Sequence, residues 1–338
     1  MCAKLNSSII VHRLASDLGL RASVDPVRAV LVHCHKLVKS FLADYPDCPS
    51  PAKLLEFLAN KLGTRLVEVH TDGDLRRITE EYTSRGERAF ATLEQELADD
   101  QSYGITIKIH NRHPWETGYV SIIDCRGRKR QRSYHTKWHE LGHLFILTNQ
   151  TRLAFRRTHD PTVPKSAEES LVDTIAGEFS FYPQLLKPLA CGEISFEKIG
   201  EIREQMCPEA SFYSSVLNVT KLWPSPCVWV EAKLALKKGE NNGQHSFSFR
   251  EKPPASLRAV HAAPNEGARQ IQVTVIPNFR VPSESVIHRV FYDQLPYAEA
   301  EENLALWVSS GGKRLPNRRV RVKAKRVNDA IHALIIPI

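Results

Sequence analysis

The sequence predicts an α+β fold divided into two domains. The chain has 338 residues, which is long for a single hydrophobic core. Apolar residues recur at helical spacing in its first half and alternate like strands in several short segments. Pro224-Ser225-Pro226 interrupts the chain, and mostly strand-like patterns follow it. We therefore expect domains at residues 1–224 and 225–338.

The first domain is expected to combine helices with a small sheet. Helical spacing or proline and capping signals predict helices over Pro26–Tyr45, Pro51–Lys61, Thr136–Leu147, Ser166 to just before Pro183, Phe196–Met206 and Ala210–Trp223. Alternation predicts strands over Arg65–His70, Gly104–Ile109 and Gly118–Ile123, the last two paired through a turn. The charged stretch from Asp72 to Asp100 is interpreted as a solvated helical insertion.

The second domain is expected to be α+β and to serve as a sensor or regulatory module. Strands are predicted over Val228–Leu236, Gln270–Ile276, Val286–Tyr292, Val320–Val327 and Ala330–Ile336, with one helix over Tyr297–Trp307. The sequence shows no internal repeat.

Composition favours an ordinary globular protein of the cytoplasm. Apolar residues make up 42% and charged residues 25%, with a mean hydropathy of −0.32. We expect no membrane partner, because no apolar run reaches the roughly 18 residues that a span needs and the N-terminus lacks a signal-peptide pattern. Seven scattered cysteines without a CxxC pair favour reduced thiols. The net charge of +8 permits an acidic partner without identifying one.

The strongest chemical signal is the pentapeptide His139-Glu140-Leu141-Gly142-His143. On a helix, residues four apart lie on one face, so His139 and His143 can present two imidazoles to one Zn²⁺. Glu140 then projects beside them as a general base. Gly142 allows another backbone to approach this helix closely. The alternative is that both histidines have only a structural role, capping the helix or packing in the core.

A catalytic zinc ion needs a third protein ligand, for which Glu169 on the next predicted helix is the candidate. Asp173 lies one turn further along and is expected to hydrogen-bond a zinc-binding histidine. Glu168 points about 100° away from Glu169, so only one of the two can bind. His135 is a weaker candidate, because Thr136 as the N-cap would leave it outside the helix.

The residues around this motif resemble the ImmA/IrrE family of metallopeptidases. The similarity is carried by Tyr134–His143 and by Glu168–Phe179, and it spans roughly residues 51–223. Val172 replaces the usual alanine, and the segment from Phe179 to Pro183 is about one residue longer than usual. The resemblance implies a zincin-like first domain, in which a small sheet precedes the HExxH helix and the glutamate-bearing helix.

The resemblance also implies a function. It assigns His139, His143 and Glu169 as Zn²⁺ ligands and Glu140 as the base of an endopeptidase. The substrate of such enzymes is a helix-turn-helix transcriptional repressor, cleaved in response to DNA damage, stress or a mobile element. The chain is also similar to the CapP group, peptidases linked to bacterial anti-phage islands, in which a cysteine switch and activation by nucleic acid are expected.

Cys125 is the candidate for such a switch. It follows a predicted strand and lies fourteen residues before His139, near enough in sequence to close the fourth zinc position as a thiolate. The alternative is an ordinary thiol at a strand end.

Two basic segments are candidate nucleic-acid contacts, with single-stranded DNA as the possible activator. The first segment precedes the metal helix and contains Arg126, Arg128, Lys129, Arg130 and Arg132. The second is a predicted strand with one cationic face, formed by Arg319, Arg321, Lys323 and Lys325. The alternative for the first segment is a solvated basic loop.

Two functions compete at this point. The first is a regulated zinc peptidase that cuts a repressor. The second is a DNA- or protein-binding regulator that keeps zinc for structure and does not cleave. The intact Glu140 favours the first, because a structural zinc site needs no general base.

Overall fold

The structure, a computed structural model, describes residues 8–21, 24–147, 154–158, 166–236, 255–309 and 312–338, with 154–158 as backbone only. It is a mixed α+β protein with two sheets, as the sequence predicts. No helix in these ranges is long and apolar enough to cross a membrane. The chain forms two compact units, Met1–Leu185 with Arg203–Ser211, and Leu186–Ile202 with Phe212–Ile338.

The elements follow one another in chain order. The helices are α1 (Ile9–Asp17), α2 (Pro26–Leu42), α3 (Pro51–Lys61), α4 (Asp72–Ser84), α5 (Leu93–Glu96), α6 (Ser133–Phe145), α7 (Ala167–Phe179), α8 (Pro183–Leu186), α9 (Phe196–Met206), α10 (Phe212–Leu222), α11 (Glu266–Gln270) and α12 (Val286–Tyr292). The strands are β1 (Thr64–Val69), β2 (Ser102–Lys108), β3 (Tyr119–Asp124), β4 (Ala154–Thr158), β5 (Val228–Ala235), β6 (Ser256–Pro264), β7 (Tyr297–Asn303), β8 (Arg319–Val327) and β9 (Ala330–Pro337).

The first unit is built on a four-stranded sheet with the order β1-β3-β2-β4. β1 runs parallel to β3, whereas β2 pairs antiparallel with both β3 and β4. Helix α6 packs against β2, β3 and β4, and α7 packs against α6. The predicted strands and the paired β2–β3 hairpin are therefore confirmed, and α6 lies on one face of this sheet.

Residues 72–100 pack on the other face of this sheet, so the prediction that they form a solvated insertion is wrong. The segment is helical, and Thr71 begins α4 with a capping box to Asp74. However, its apolar side chains belong to a core shared with β2 and β3; they are Leu75, Ile78, Tyr82, Phe90, Leu93 and Leu97. Most of the acidic residues lie on the outer side of this helical layer, so the high charge hides an amphipathic pattern.

The second unit contains a five-stranded antiparallel sheet with the order β6-β5-β9-β8-β7. Strands β5, β8 and β9 were predicted, whereas β6 was not. The ring centroid of Phe212, at the start of α10, lies 6.1 Å from that of His332 on β9. Because α10 packs on this sheet, the division between units does not coincide with residue 224.

Three elements of the second domain were predicted wrongly. Residues 286–292 form helix α12 rather than a strand, because Ser285 caps the helix and Val286, Ile287 and Val290 share one buried face. Residues 297–303 form strand β7 rather than a helix, since pairing with β8 overrides the helix propensity of their alanines and glutamates. Residues 271–276 follow α11 without entering a sheet, and Gln272 has a positive φ of 57°.

Candidate metal centre

Helix α6 carries the HExxH pentapeptide and begins one turn earlier than predicted. Residues 127–132 form a 3-10 turn that leads directly into α6 at Ser133. Thr136 is therefore not the N-cap, and its hydroxyl donates to the Arg132 carbonyl at 2.9 Å. His135 lies inside the helix, but it does not join the donors described next.

His139, His143 and Glu169 form a cluster, with one donor atom of each within 4.8 Å of the others. The Nε2 atom of His139 lies 3.0 Å from Glu169 Oε2, and the Nε2 atom of His143 lies 3.2 Å from Glu169 Oε1. Both histidines are buried, whereas the Glu169 side chain is 21% exposed. The three predicted ligands thus converge, with the carboxylate on the accessible side.

Local capping sets the position of Glu169. The Ser166 hydroxyl accepts a hydrogen bond from the Glu169 backbone N–H at 3.1 Å and begins α7. Asp173 is one turn further along the same face, and its Oδ1 lies 2.9 Å from His139 Nδ1. Glu168 lies farther away, 3.8 Å from His143 Nδ1. Glu169 is therefore the better placed of the two glutamates, and Asp173 has the predicted contact with a cluster histidine.

Close packing of α6 on α7 depends on Gly142. A Cβ atom at this position would lie 2.9 Å from Val172 Cγ1 and 3.4 Å from the Val172 carbonyl oxygen. The sequence-based expectation of a close backbone approach is confirmed. This approach brings Glu169 and Asp173 within reach of the histidines.

The histidines and glutamates of the cluster shift each other's pKa values. Burial opposes protonation of His143, but its interactions with Glu168 and Glu169 outweigh burial and raise its pKa to about 9. Burial would also raise the pKa of Glu169, yet hydrogen bonds from His139 and His143 lower it to about 2. The Glu169 carboxylate is consequently ionised throughout the neutral range, as a metal ligand must be.

Glu140 is fully buried and faces the sheet. Burial raises its pKa above the ordinary value, against the opposing influence of His143 and His139. Its Oε2 accepts a hydrogen bond from the Thr106 hydroxyl at 2.7 Å. Its Oε1 has no hydrogen-bond partner among the described residues. One carboxylate oxygen is therefore fixed by Thr106, while the other is left without a hydrogen bond.

A row of buried hydroxyls supports Glu140, and the sequence analysis missed it. Ser121 Oγ lies 2.7 Å from Thr106 Oγ1 and 2.9 Å from Thr64 Oγ1. Because Thr106 donates its only hydroxyl proton to Glu140, Ser121 donates to Thr106 and Thr64 donates to Ser121. The available signal was a polar position between the apolar residues of β2 and β3.

Gly104 on β2 makes room for Glu140. A Cβ atom there would lie 2.7 Å from Thr136 Cγ2 and 3.0 Å from Glu140 Oε1. Any larger residue would press on the helix and fill the space beside the free carboxylate oxygen.

The donor set fits Zn²⁺. Two imidazoles and one carboxylate form a typical catalytic zinc set that leaves a position open. Asp173 on the far nitrogen of His139 is the usual outer partner of a metal-binding histidine. These observations describe a candidate metal centre.

Cys125 is not part of this cluster. The structure groups its Sγ with the side chains of Glu68 and His70 instead. Burial, followed by the negative charge of Glu68, raises the pKa of the Cys125 thiol to about 11. In this structure Cys125 therefore does not occupy the position next to His139 that a cysteine switch requires.

The basic segment before α6 is partly used for internal ion pairs. Arg126 binds Asp72 at 2.6 Å and Asp124 at 2.8 Å, and the buried Lys129 binds Asp124 at 2.8 Å. Of the other three cations, Arg132 lies over the Tyr103 ring, and Arg128 and Arg130 are exposed. Only part of this segment is thus free to meet a phosphate.

The cationic face of β8 meets acidic partners. Arg319 binds Glu301 at 2.6 Å, and Lys323 binds Glu193 at 2.7 Å. Arg321 lies within 4.0 Å of Glu193, Glu299 and Glu301, whereas Lys325 lies over the Phe212 ring. Because β7 places glutamates opposite these cations, a nucleic acid would have to displace ion pairs to bind here.

Comparison with known proteins finds no family model that matches the chain and no curated protein similar to it.

Proposed function

We propose that the chain is a zinc-dependent endopeptidase of the ImmA/IrrE type that cleaves a partner protein. The observation that carries this proposal is the convergence of His139, His143 and Glu169 beside a buried Glu140 with one unpaired oxygen. A structural zinc site normally has four protein ligands and needs no general base.

When bound, Zn²⁺ would polarise the scissile carbonyl and acidify a water molecule. His139, His143 and Glu169 would hold the ion, and Asp173 would keep His139 oriented with Nδ1–H donating to its carboxylate. Thr106 fixes Glu140 Oε2, so Oε1 is the atom that accepts a proton from water and returns it to the leaving amine.

The substrate we propose is a helix-turn-helix repressor, with cleavage relieving repression during DNA damage, stress or phage infection. This assignment rests on the resemblance of the Tyr134–His143 and Glu168–Phe179 segments to the family. The competing proposal is a regulator that binds DNA or protein and retains zinc without cleavage.

Glu140→Gln tests the proposal. We expect this variant to keep its metal and to lose at least about a hundredfold in cleavage rate, the usual contribution of a general base. The measurement is mass spectrometry of helix-turn-helix repressors from the same organism, after incubation with the Zn²⁺-loaded enzyme. Glu178→Gln is the matched control, because Glu178 lies on α7 but outside the cluster. Equal cleavage by wild type and Glu140→Gln would contradict the mechanism, and bound zinc without cleavage would favour the regulator.

A further inference from the structure

A second group of potential metal donors lies where β1 and β3 end. Strands β1 and β3 are parallel, Glu68 pairs with Ile123, and the Cys125 backbone N–H donates to the Val69 carbonyl at 2.8 Å. Side chains two residues apart on a strand share a face. Glu68, His70 and Cys125 therefore project from the same side of the sheet, toward the start of α6.

The three side chains converge closely. One donor atom from each lies within 4.8 Å of the other two. The Nε2 atom of His70 is 2.9 Å from Glu68 Oε2. Donors bound about 2.0–2.3 Å from one tetrahedral ion lie roughly 3.5 Å apart, so small side-chain movements would complete such a geometry.

The chemistry of the donors selects the ion. Thiolate, imidazole and carboxylate together suit Zn²⁺ and similar borderline cations, whereas Mg²⁺ and Ca²⁺ prefer oxygen ligands alone. We propose that Glu68, His70 and Cys125 form a second metal site, which takes Zn²⁺ and is separate from the His139 cluster.

A neighbouring ion pair orients the carboxylate. Lys137 on α6 binds Glu68 through Oε1 and also binds Glu209 at 2.6 Å. The other oxygen, Oε2, faces His70. Lys137 thus fixes one oxygen of Glu68 and leaves the second directed at the site. In the bound state the thiolate and the Glu68 carboxylate balance the charge of Zn²⁺, and Glu209 balances Lys137.

The site is closed on one side and open on the other. Cys125 is buried, whereas the His70 side chain is 50% exposed. Zn²⁺ can therefore reach the site past His70. Bound metal would cross-link the ends of two strands beneath the first turn of α6.

This site does not depend on the proposed peptidase activity. Among the described residues, Cys125 is the only cysteine in a group of potential metal ligands, and the His139 cluster contains no sulfur. Co²⁺ with a thiolate ligand gives a near-ultraviolet charge-transfer band, which nitrogen and oxygen ligands do not give. The two sites can therefore be distinguished spectroscopically in the same chain.

The experiment is a titration of the full-length, metal-free chain with Co²⁺, followed by displacement with Zn²⁺. Wild type should bind two equivalents, one of them with the charge-transfer band. Cys125→Ser should lose the band and one equivalent, and Cys48→Ser, another buried cysteine, should retain both. His70→Ala replaces a half-exposed side chain and should weaken the band-forming site by about a hundredfold or more, since even outer-shell changes cost roughly 10–100-fold.

The outcomes separate this site from the proposed peptidase. A band that persists in Cys125→Ser, or no band in wild type, would overturn the second site. His139→Ala should remove the other equivalent and leave the band unchanged. If the band forms while the His139 cluster binds no metal, the second site stands and the peptidase proposal fails.

Discussion

The two candidate metal clusters lie beside the same helix but are built in different ways. His139 and His143 come from one turn of α6, and Glu169 comes from the next helix along the chain. Glu68 and His70 come from strand β1, and Cys125 joins them only because β1 and β3 pair in parallel. The first cluster is enclosed by helix packing, whereas the second lies at a sheet margin with a half-exposed histidine.

This difference explains which cluster the sequence revealed. A spacing of four residues on a helix is local, so HExxH can be recognised directly. The register between β1 and β3 joins residues more than fifty positions apart, and no local pattern encodes it. Sequence reasoning therefore linked Cys125 to His139, which follows it by only fourteen residues. In the structure its neighbours are Glu68 and His70 instead.

The fold shows the same contrast. The first unit was largely predictable, because its helices have proline and serine start signals and its strands alternate clearly. The second unit was less so, because α12 has β-branched residues and β7 has strong helix formers. Pairing with β8 decides the conformation of β7, whereas the Ser285 cap and a buried apolar face decide that of α12.

Asp173→Asn should change the Zn²⁺ affinity of the first cluster much more than that of the second, and this is the largest effect we expect. It weakens the hydrogen bond that orients His139, so Zn²⁺ affinity at the first cluster should fall about 10–100-fold. Affinity at the second cluster should not change. Competition with a zinc-binding dye, in the Cys125→Ser background and in the His139→Ala background, measures each affinity separately. An equal loss in both backgrounds would mean that Asp173 acts on the whole fold rather than on His139.

Gly142→Ala should separate α6 from α7. The new Cβ would lie 2.9 Å from Val172 Cγ1, and we expect unfolding free energy to fall by about 1–3 kcal/mol, a typical cost of overpacking. Chemical denaturation measures the loss. Adding Val172→Ala should restore much of it, because the clashing methyl group is removed.

Gly177→Ala is the control for helix propensity. Gly177 lies on α7 with open space around its Cα, so alanine there should stabilise the helix by about 0.5–1 kcal/mol. If Gly142→Ala behaved in the same way, close packing of α6 on α7 would not be required for the first cluster.

Zn²⁺ binding at the first cluster should release at least one proton per chain at pH 7. The pKa of His143 is raised to about 9 in the metal-free protein, so this imidazole is protonated at pH 7 and must lose its proton to bind. Affinity should therefore rise at least about tenfold per pH unit, and the contribution of His143 should level off near pH 9. Because the folded-state pKa lies above the ordinary value of 6.5, the charged His143 stabilises the metal-free fold fully below pH 6.5, and this contribution disappears as the pH rises through 9. Calorimetry in buffers of different ionisation enthalpy, in the Cys125→Ser background, counts the protons. Release of none would show that His143 is already neutral and that its carboxylate neighbours do not hold the proton.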